Sequence, residues 1–84
     1  MKNTVFEPIS VVVSFNNRKA TIHRFKWKNT LYNVSDLVST WLNKDGKSYV
    51  THYTVHCHKQ NTICEVSFNH NDFEWKLVQY EMMD

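Results

Sequence analysis

The stretch Tyr49-Val50-Thr51-His52-Tyr53-Thr54-Val55-His56-Cys57-His58-Lys59-Gln60-Asn61-Thr62-Ile63-Cys64-Glu65-Val66-Ser67-Phe68 decides the fold. Tyr53, Val55 and Cys57 alternate with Thr54, His56 and His58, and Cys64, Val66 and Phe68 alternate with Ile63, Glu65 and Ser67. Successive side chains of a strand point to opposite faces, so this period of two marks a pair of half-buried strands. A two-residue loop at Gln60-Asn61 sets Lys59 against Thr62, and then Cys57 faces Cys64, Val55 faces Val66 and Tyr53 faces Phe68. One face of the hairpin is then wholly apolar. The other pairs His58 with Ile63, His56 with Glu65 and Thr54 with Ser67.

Downstream, Asn69-His70-Asn71-Asp72 is a turn, followed by a strand from Phe73 to about Glu81. Its Trp75 and Leu77 mark one face and Val78 and Tyr80 the other. Upstream, Asn43-Lys44-Asp45-Gly46-Lys47 is a turn signed by Asp-Gly. Residues 35–43 admit two readings. Val34, Leu37, Val38, Trp41 and Leu42 lie at helical spacing behind Ser35 as a cap, which allows a short helical turn. The wealth of Val, Thr, Trp and Ser favours a strand with a bulge. Before it come a strand starting at Leu31 and a turn at Asn29-Thr30. In the strand Ala20–Lys28 the parity slips, since Ala20 and Ile22 share one face and Phe25 and Trp27 the other. One extra residue near His23-Arg24, a β-bulge, restores the register. The first strand is Ile9–Phe15, preceded by an irregular segment over residues 1–8.

These readings predict a single all-β domain over residues 1–84, a six-stranded antiparallel meander closing into a small barrel or roll. Its expected core is Val11, Val13, Phe15, Phe25, Trp27, Val34, Tyr53, Val55, Cys57, Cys64, Val66, Phe68, Trp75 and Leu77. Three Trp, five Phe and four Tyr supply the bulk that so small a core needs. Only Gly46 and Pro8 represent their types, so the nine Asn residues must build most turns.

Two cysteines are too few for a disulfide framework. In the register above they occupy a hydrogen-bonded pair position with Cα atoms about 5.5 Å apart, within disulfide reach. A reducing compartment makes them small core hydrophobes instead. Glu7 and Pro8 stand where a signal peptide would be apolar, and the run Ile9–Phe15 is too short to span a bilayer. The expectation is a cytoplasmic protein without a membrane partner.

Two clusters carry possible function. Arg24, Lys26 and Lys28 project from one strand face, with Arg18 and Lys19 at the turn before it. Such a stripe can track a phosphate backbone, and Tyr32, Trp41 and Tyr49 are candidates for base stacking beside it. The plainer account is a solvated strand whose lysines guard an edge. His52, His56 and His58 share the polar face of one strand, and with Glu65 could hold Zn²⁺. The plainer account is a polar face bearing one His–Glu pair, worth about 0.2–1 kcal/mol.

The order Arg24-Phe25-Lys26-Trp27, Tyr32-Asn33-Val34, Trp41, Tyr53, Phe68 and Trp75-Lys76-Leu77-Val78 resembles a family of small uncharacterised bacterial proteins. Its pattern is R-F-x-W, Y-x-V, W and a closing W-x-L-V, matched over roughly residues 9–81. The resemblance implies a compact β fold without an assigned activity.

No Gly-rich phosphate loop, nucleophile elbow or H-E-x-x-H is present, so neither catalysis nor a cofactor is expected. The expected function is a small binding or adaptor module whose partner is a protein, another copy of the chain included. The alternative is nucleic-acid binding through the basic stripe.

Overall fold

The computed structural model describes residues 2–83. Eight strands run in chain order: β1 Lys2–Pro8, β2 Ser10–Asn16, β3 Lys19–Trp27, β4 Thr30–Asn33, β5 Asp36–Asp45, β6 Ser48–Cys57, β7 Thr62–Asn69 and β8 Trp75–Met82. They form two antiparallel sheets, one of five strands in the order β1-β8-β7-β6-β5 and one of three in the order β2-β3-β4. The all-β expectation holds. The number of strands and the closed barrel do not: there are eight strands rather than six, in two sheets that do not close into one barrel.

The reason lies at two corners where the chain changes sheet, the way packed sheets share strands. At the first, Ile9 follows Pro8 and donates its N–H to Trp75 O at 3.1 Å. At the second, Val34 N–H bonds to His23 O in the small sheet (3.0 Å), and the next residue, Ser35, bonds to His56 O in the large one (2.8 Å). Residues 35–43 therefore contain no helix; they lie in or against β5, whose register slips between Leu37 and Ser39 and leaves Val38 as the extra residue. Residues 2–8 are not irregular either. They pair with β8 as an edge strand whose alternating residues are half-buried. Pro8 is tolerated there because it ends an edge strand and need not donate to a ladder.

The slip expected in the second strand sits at His23: Val12 opposes Arg24 while Val13 opposes Ile22, so Ile22 and Phe25 both point inward. A comparable slip in β8 at Val78 returns Tyr80 to the core side with Leu77, where simple alternation put it on the other face. The core joins Ile22 and Phe25 of the small sheet to Val55, Cys57, Cys64, Val66 and Leu77 of the large one. Trp27, Tyr32, Tyr53, Trp75 and Tyr80 pack around it. Phe25 and Tyr32 stack at 4.9 Å across β3 and β4. Phe15 is the exception among the expected core residues. It lies beside the β2–β3 turn and is 67% exposed. Phe68 belongs to an aromatic group at one end, 4.7 Å from Trp75 and 6.0 Å from Phe73.

Asparagine builds several of the turns, as expected. Asn17-Arg18 and Lys28-Asn29 each have two residues at positive φ, the requirement of a type I′ hairpin turn. Gly46, at φ +62°, opens the β5–β6 turn. The β6–β7 loop is longer than the expected two residues. Cys57 pairs with Thr62, leaving His58–Asn61 as a four-residue loop. Asn61, at φ 50°, donates its N–H to His58 O, and Thr62 Oγ1 donates to Gln60 O. The partner of each residue consequently moves by two, which leaves both faces as expected but changes which residues oppose.

Candidate functional site

The two-residue shift separates the histidines. Thr54, not His56, opposes Glu65. Glu65 is instead reached diagonally by His52, whose Nδ1 lies 3.1 Å from Glu65 Oε2. Glu65 Oε1 accepts a bond from Gln79 Nε2 at 3.0 Å, and the indole of Trp41 stacks on the His52 ring. Trp41, His52, Glu65 and Gln79 thus form one row across β5, β6, β7 and β8. His52 and Glu65 are largely shielded, with side chains 17% and 15% exposed. Within the row, one ring nitrogen of His52 and both carboxylate oxygens of Glu65 are engaged.

His56 lies near the far end of β6, and His58, expected on the same strand face, is instead the first residue of the loop that follows. Asp36, the first residue of β5, directly opposes His56. Asp36 Oδ2 lies 2.7 Å from His58 Nε2, and the two imidazole rings are 4.0 Å apart. One ligand atom from each of Asp36, His56 and His58 falls within 4.8 Å of the others. The metal set expected from sequence is thereby divided: His56 and His58 stay together, His52 and Glu65 leave, and Asp36 joins. Asp36 could not be found by spacing, because it reaches the cluster through strand pairing across 20 residues of chain.

The cysteines share the core face but do not oppose each other. Cys64 faces Val55 and Cys57 faces Thr62, so the two are diagonal neighbours. Both are free and buried. Contact with the Cys57 sulfur, reinforced by burial, pushes the Cys64 thiol far up, while the same contact holds the Cys57 thiol below its ordinary value.

Arg24 and Lys26 are exposed on β3, and Val12 and Leu31 stand between and beside them on the neighbouring strands. Arg18 and Lys19 are exposed at the turn before. Lys28 does not extend the strand face. It sits at φ 50° in the β3–β4 turn, with its Nζ 5.0 Å from the Trp27 ring. Tyr32 is turned inward against Phe25, while Trp41 and Tyr49 belong to the other sheet. The stripe and the exposed aromatics are therefore on separate surfaces.

The strand with a bulge favoured for residues 35–43 is present as β5; the feature that sequence reading missed is its open edge. β5 is ten residues long and lies at the edge of the five-stranded sheet, with β6 on one side and no strand on the other among the described residues. Every residue of it is exposed. Leu37, Val38, Trp41 and Leu42 are 47%, 57%, 38% and 59% exposed. The apolar character of residues 37–42 was visible in the sequence, and none of them stood in the expected core, yet nothing there marked them as the edge of a sheet.

Comparison of the chain with protein-family models, with curated proteins and with solved structures returns no match. No helix among the described residues is long and apolar enough to cross a membrane.

Proposed function

We propose that the chain is a non-enzymatic binding module that takes an extended segment of a protein partner onto the free edge of β5. The observation that carries this reading is a ten-residue edge strand with four large apolar side chains exposed along it. An open edge offers a row of backbone donors and acceptors ready to pair, and folded proteins ordinarily blunt such edges with charge, proline or shortness. In β5 the charges stand only at the ends, as Asp36 at one and Lys44-Asp45 at the other. Strand addition draws affinity from main-chain bonds and specificity from alternate side chains, with Leu37 and Leu42 on one face of β5 and Trp41 on the other.

The test has two readouts. Sedimentation of the chain over a range of concentrations reports whether the added strand comes from a second copy. Selection from a random peptide library displayed on phage reports whether it comes from another protein. Val38→Lys and Leu42→Lys put charge on the edge without touching the core. They are expected to abolish whichever association is seen while leaving the melting temperature within a few degrees. Association that ignores both substitutions, or none in either assay, overturns the reading.

A second reading is nucleic-acid binding, favoured by Arg24 and Lys26 standing exposed with no carboxylate within ion-pair distance among the described residues. It requires affinity that falls steeply with salt and drops for all sequences alike in Lys26→Glu. Undetectable binding of single- and double-stranded probes at low ionic strength eliminates it.

A further inference from the structure

We propose that Asp36, His56 and His58 form a binding site for a divalent transition metal, with Zn²⁺ the ion their chemistry suits best. Two imidazoles and one carboxylate are the donor types that zinc takes, and three protein ligands leave a fourth position for water.

The backbone around the cluster is already fixed. Asp36 and His56 are direct partners in the β5–β6 ladder. Ser35 N–H bonds to His56 O at 2.8 Å, and His58 N–H bonds to Ser35 Oγ at 3.1 Å. The three Cα positions therefore do not have to be assembled by the ion. Only side-chain rotation remains. The donors lie within 4.8 Å of one another, and donors around a tetrahedral zinc with bonds of about 2.0–2.1 Å sit about 3.4 Å apart. Asp36 and His58 are the mobile arms, with side chains 62% and 61% exposed. Their mutual hydrogen bond is the contact that opens to admit the ion.

His56 supplies an independent indication. Its Nε2 is buried and has no hydrogen-bond partner, one of two such side-chain atoms among the described residues. A buried polar atom left unpaired is costly, and a ligand that pairs it recovers that cost. A cation coordinated in the plane of the His56 ring through Nε2 supplies that partner, and the His58 ring already lies 4.0 Å away. His52 is outside the site because Glu65 already engages it.

This inference stands apart from strand addition, although Asp36 opens β5 and an ion there would fasten that end of the edge strand to β6. Co²⁺ is the probe, read by its visible d–d absorption in the full chain, with Zn²⁺ added in competition. The expected result is one Co²⁺ per chain with an absorption bleached by Zn²⁺. Asp36→Asn and His58→Gln, both at exposed positions, should each weaken it at least about tenfold, since even outer-shell changes at metal sites cost that much. His52→Gln should leave it unchanged. Absence of a Co²⁺ spectrum overturns the proposal, as does binding indifferent to Asp36→Asn and His58→Gln. So does a thiolate charge-transfer band abolished by Cys57→Ser, which would place the ion at the cysteines.

Discussion

The indole of Trp41 lies 5.1 Å from the imidazole of His52 and within 3° of parallel to it. Trp41 is on the exposed edge strand and His52 is tied through Glu65 to Gln79, so the stack anchors β5 to a row that crosses the sheet. Trp41→Ala is expected to cost about 0.5–1.5 kcal/mol beyond the lost area, the range measured for aromatic pairs. A double-mutant cycle with His52→Ala, followed by urea denaturation, isolates the coupling. Additive losses would show that the stack contributes geometry without energy.

Leu77 and Phe15 were both expected inside, and the structure separates them. Leu77 is 1% exposed at the centre of the core, while Phe15 is 67% exposed. Leu77→Ala should destabilise the chain by about 2–5 kcal/mol, a large share of the stability of so small a domain. Phe15→Ala should stay within about 0.5 kcal/mol, as surface substitutions do. Chemical denaturation of the two variants against the parent decides it, and similar losses for both would return Phe15 to the core.

The bulge at His23 makes an unusual deletion tolerable. Without His23, Ile22 and Phe25 are separated only by Arg24, so both still face inward and Val12 and Val13 keep Arg24 and Ile22 as partners. What is lost is the acceptor for Val34 N–H at the corner, together with the Ser14–His23 bond. The shortened chain is expected to fold and to be less stable by about 1–3 kcal/mol, the cost of an unpaired buried amide. Circular dichroism and a urea titration test this. A chain that fails to fold would mean that the extra residue supplies a bend the core cannot do without.

Alkaline pH should weaken the fold before it reaches the ordinary range of lysine. Burial raises Tyr53, burial and then the nearby thiols raise Tyr32, and the Cys57 contact and then burial raise Cys64. Each group holds its proton longer in the folded chain than in the unfolded one. Their contribution is therefore complete below the ordinary thiol and tyrosine values of 9.0 and 10.0, and is lost as pH climbs through the raised values. Cys57, shifted the other way, offsets part of the thiol contribution. Urea midpoints measured from neutral pH upward should fall through this window, and Tyr53→Phe should flatten the fall.

The strand content, most turns, the His23 bulge and nearly all of the core were legible because period two is a local signal. What failed was not local. Whether the β6–β7 loop has two residues or four depends on Asn61 accepting a left-handed backbone, which asparagine permits but does not dictate. The two-residue difference then decided that Glu65 meets His52 and that the cysteines stand diagonally. Residues 2–8 were unreadable for a related reason. An edge strand with one covered face carries half the hydrophobic signal of a central one, and Glu7-Pro8 obscures its end. Of the candidate sites, the histidines could be found but not sorted, because Asp36 and His56 meet only through pairing. The exposure of β5 is a property of what does not cover it, and no pattern within residues 36–45 encodes that.

Val34 and Ser35 are neighbours along the chain, yet their amides belong to different sheets, one held by His23 and the other by His56. Two consecutive peptide units thus pin the two ladders together, and tension or fraying in either is transmitted directly to the first bond of the other. The smaller sheet has no route to detach as a lobe while the larger stays whole. Slow amide exchange should accordingly report one opening event shared by Val34 and Ser35 rather than a soft half and a firm half. A protein that presents a raw strand edge to its surroundings has good use for such a seam, since the bending that would let the edge pair indiscriminately is resisted by both layers at once.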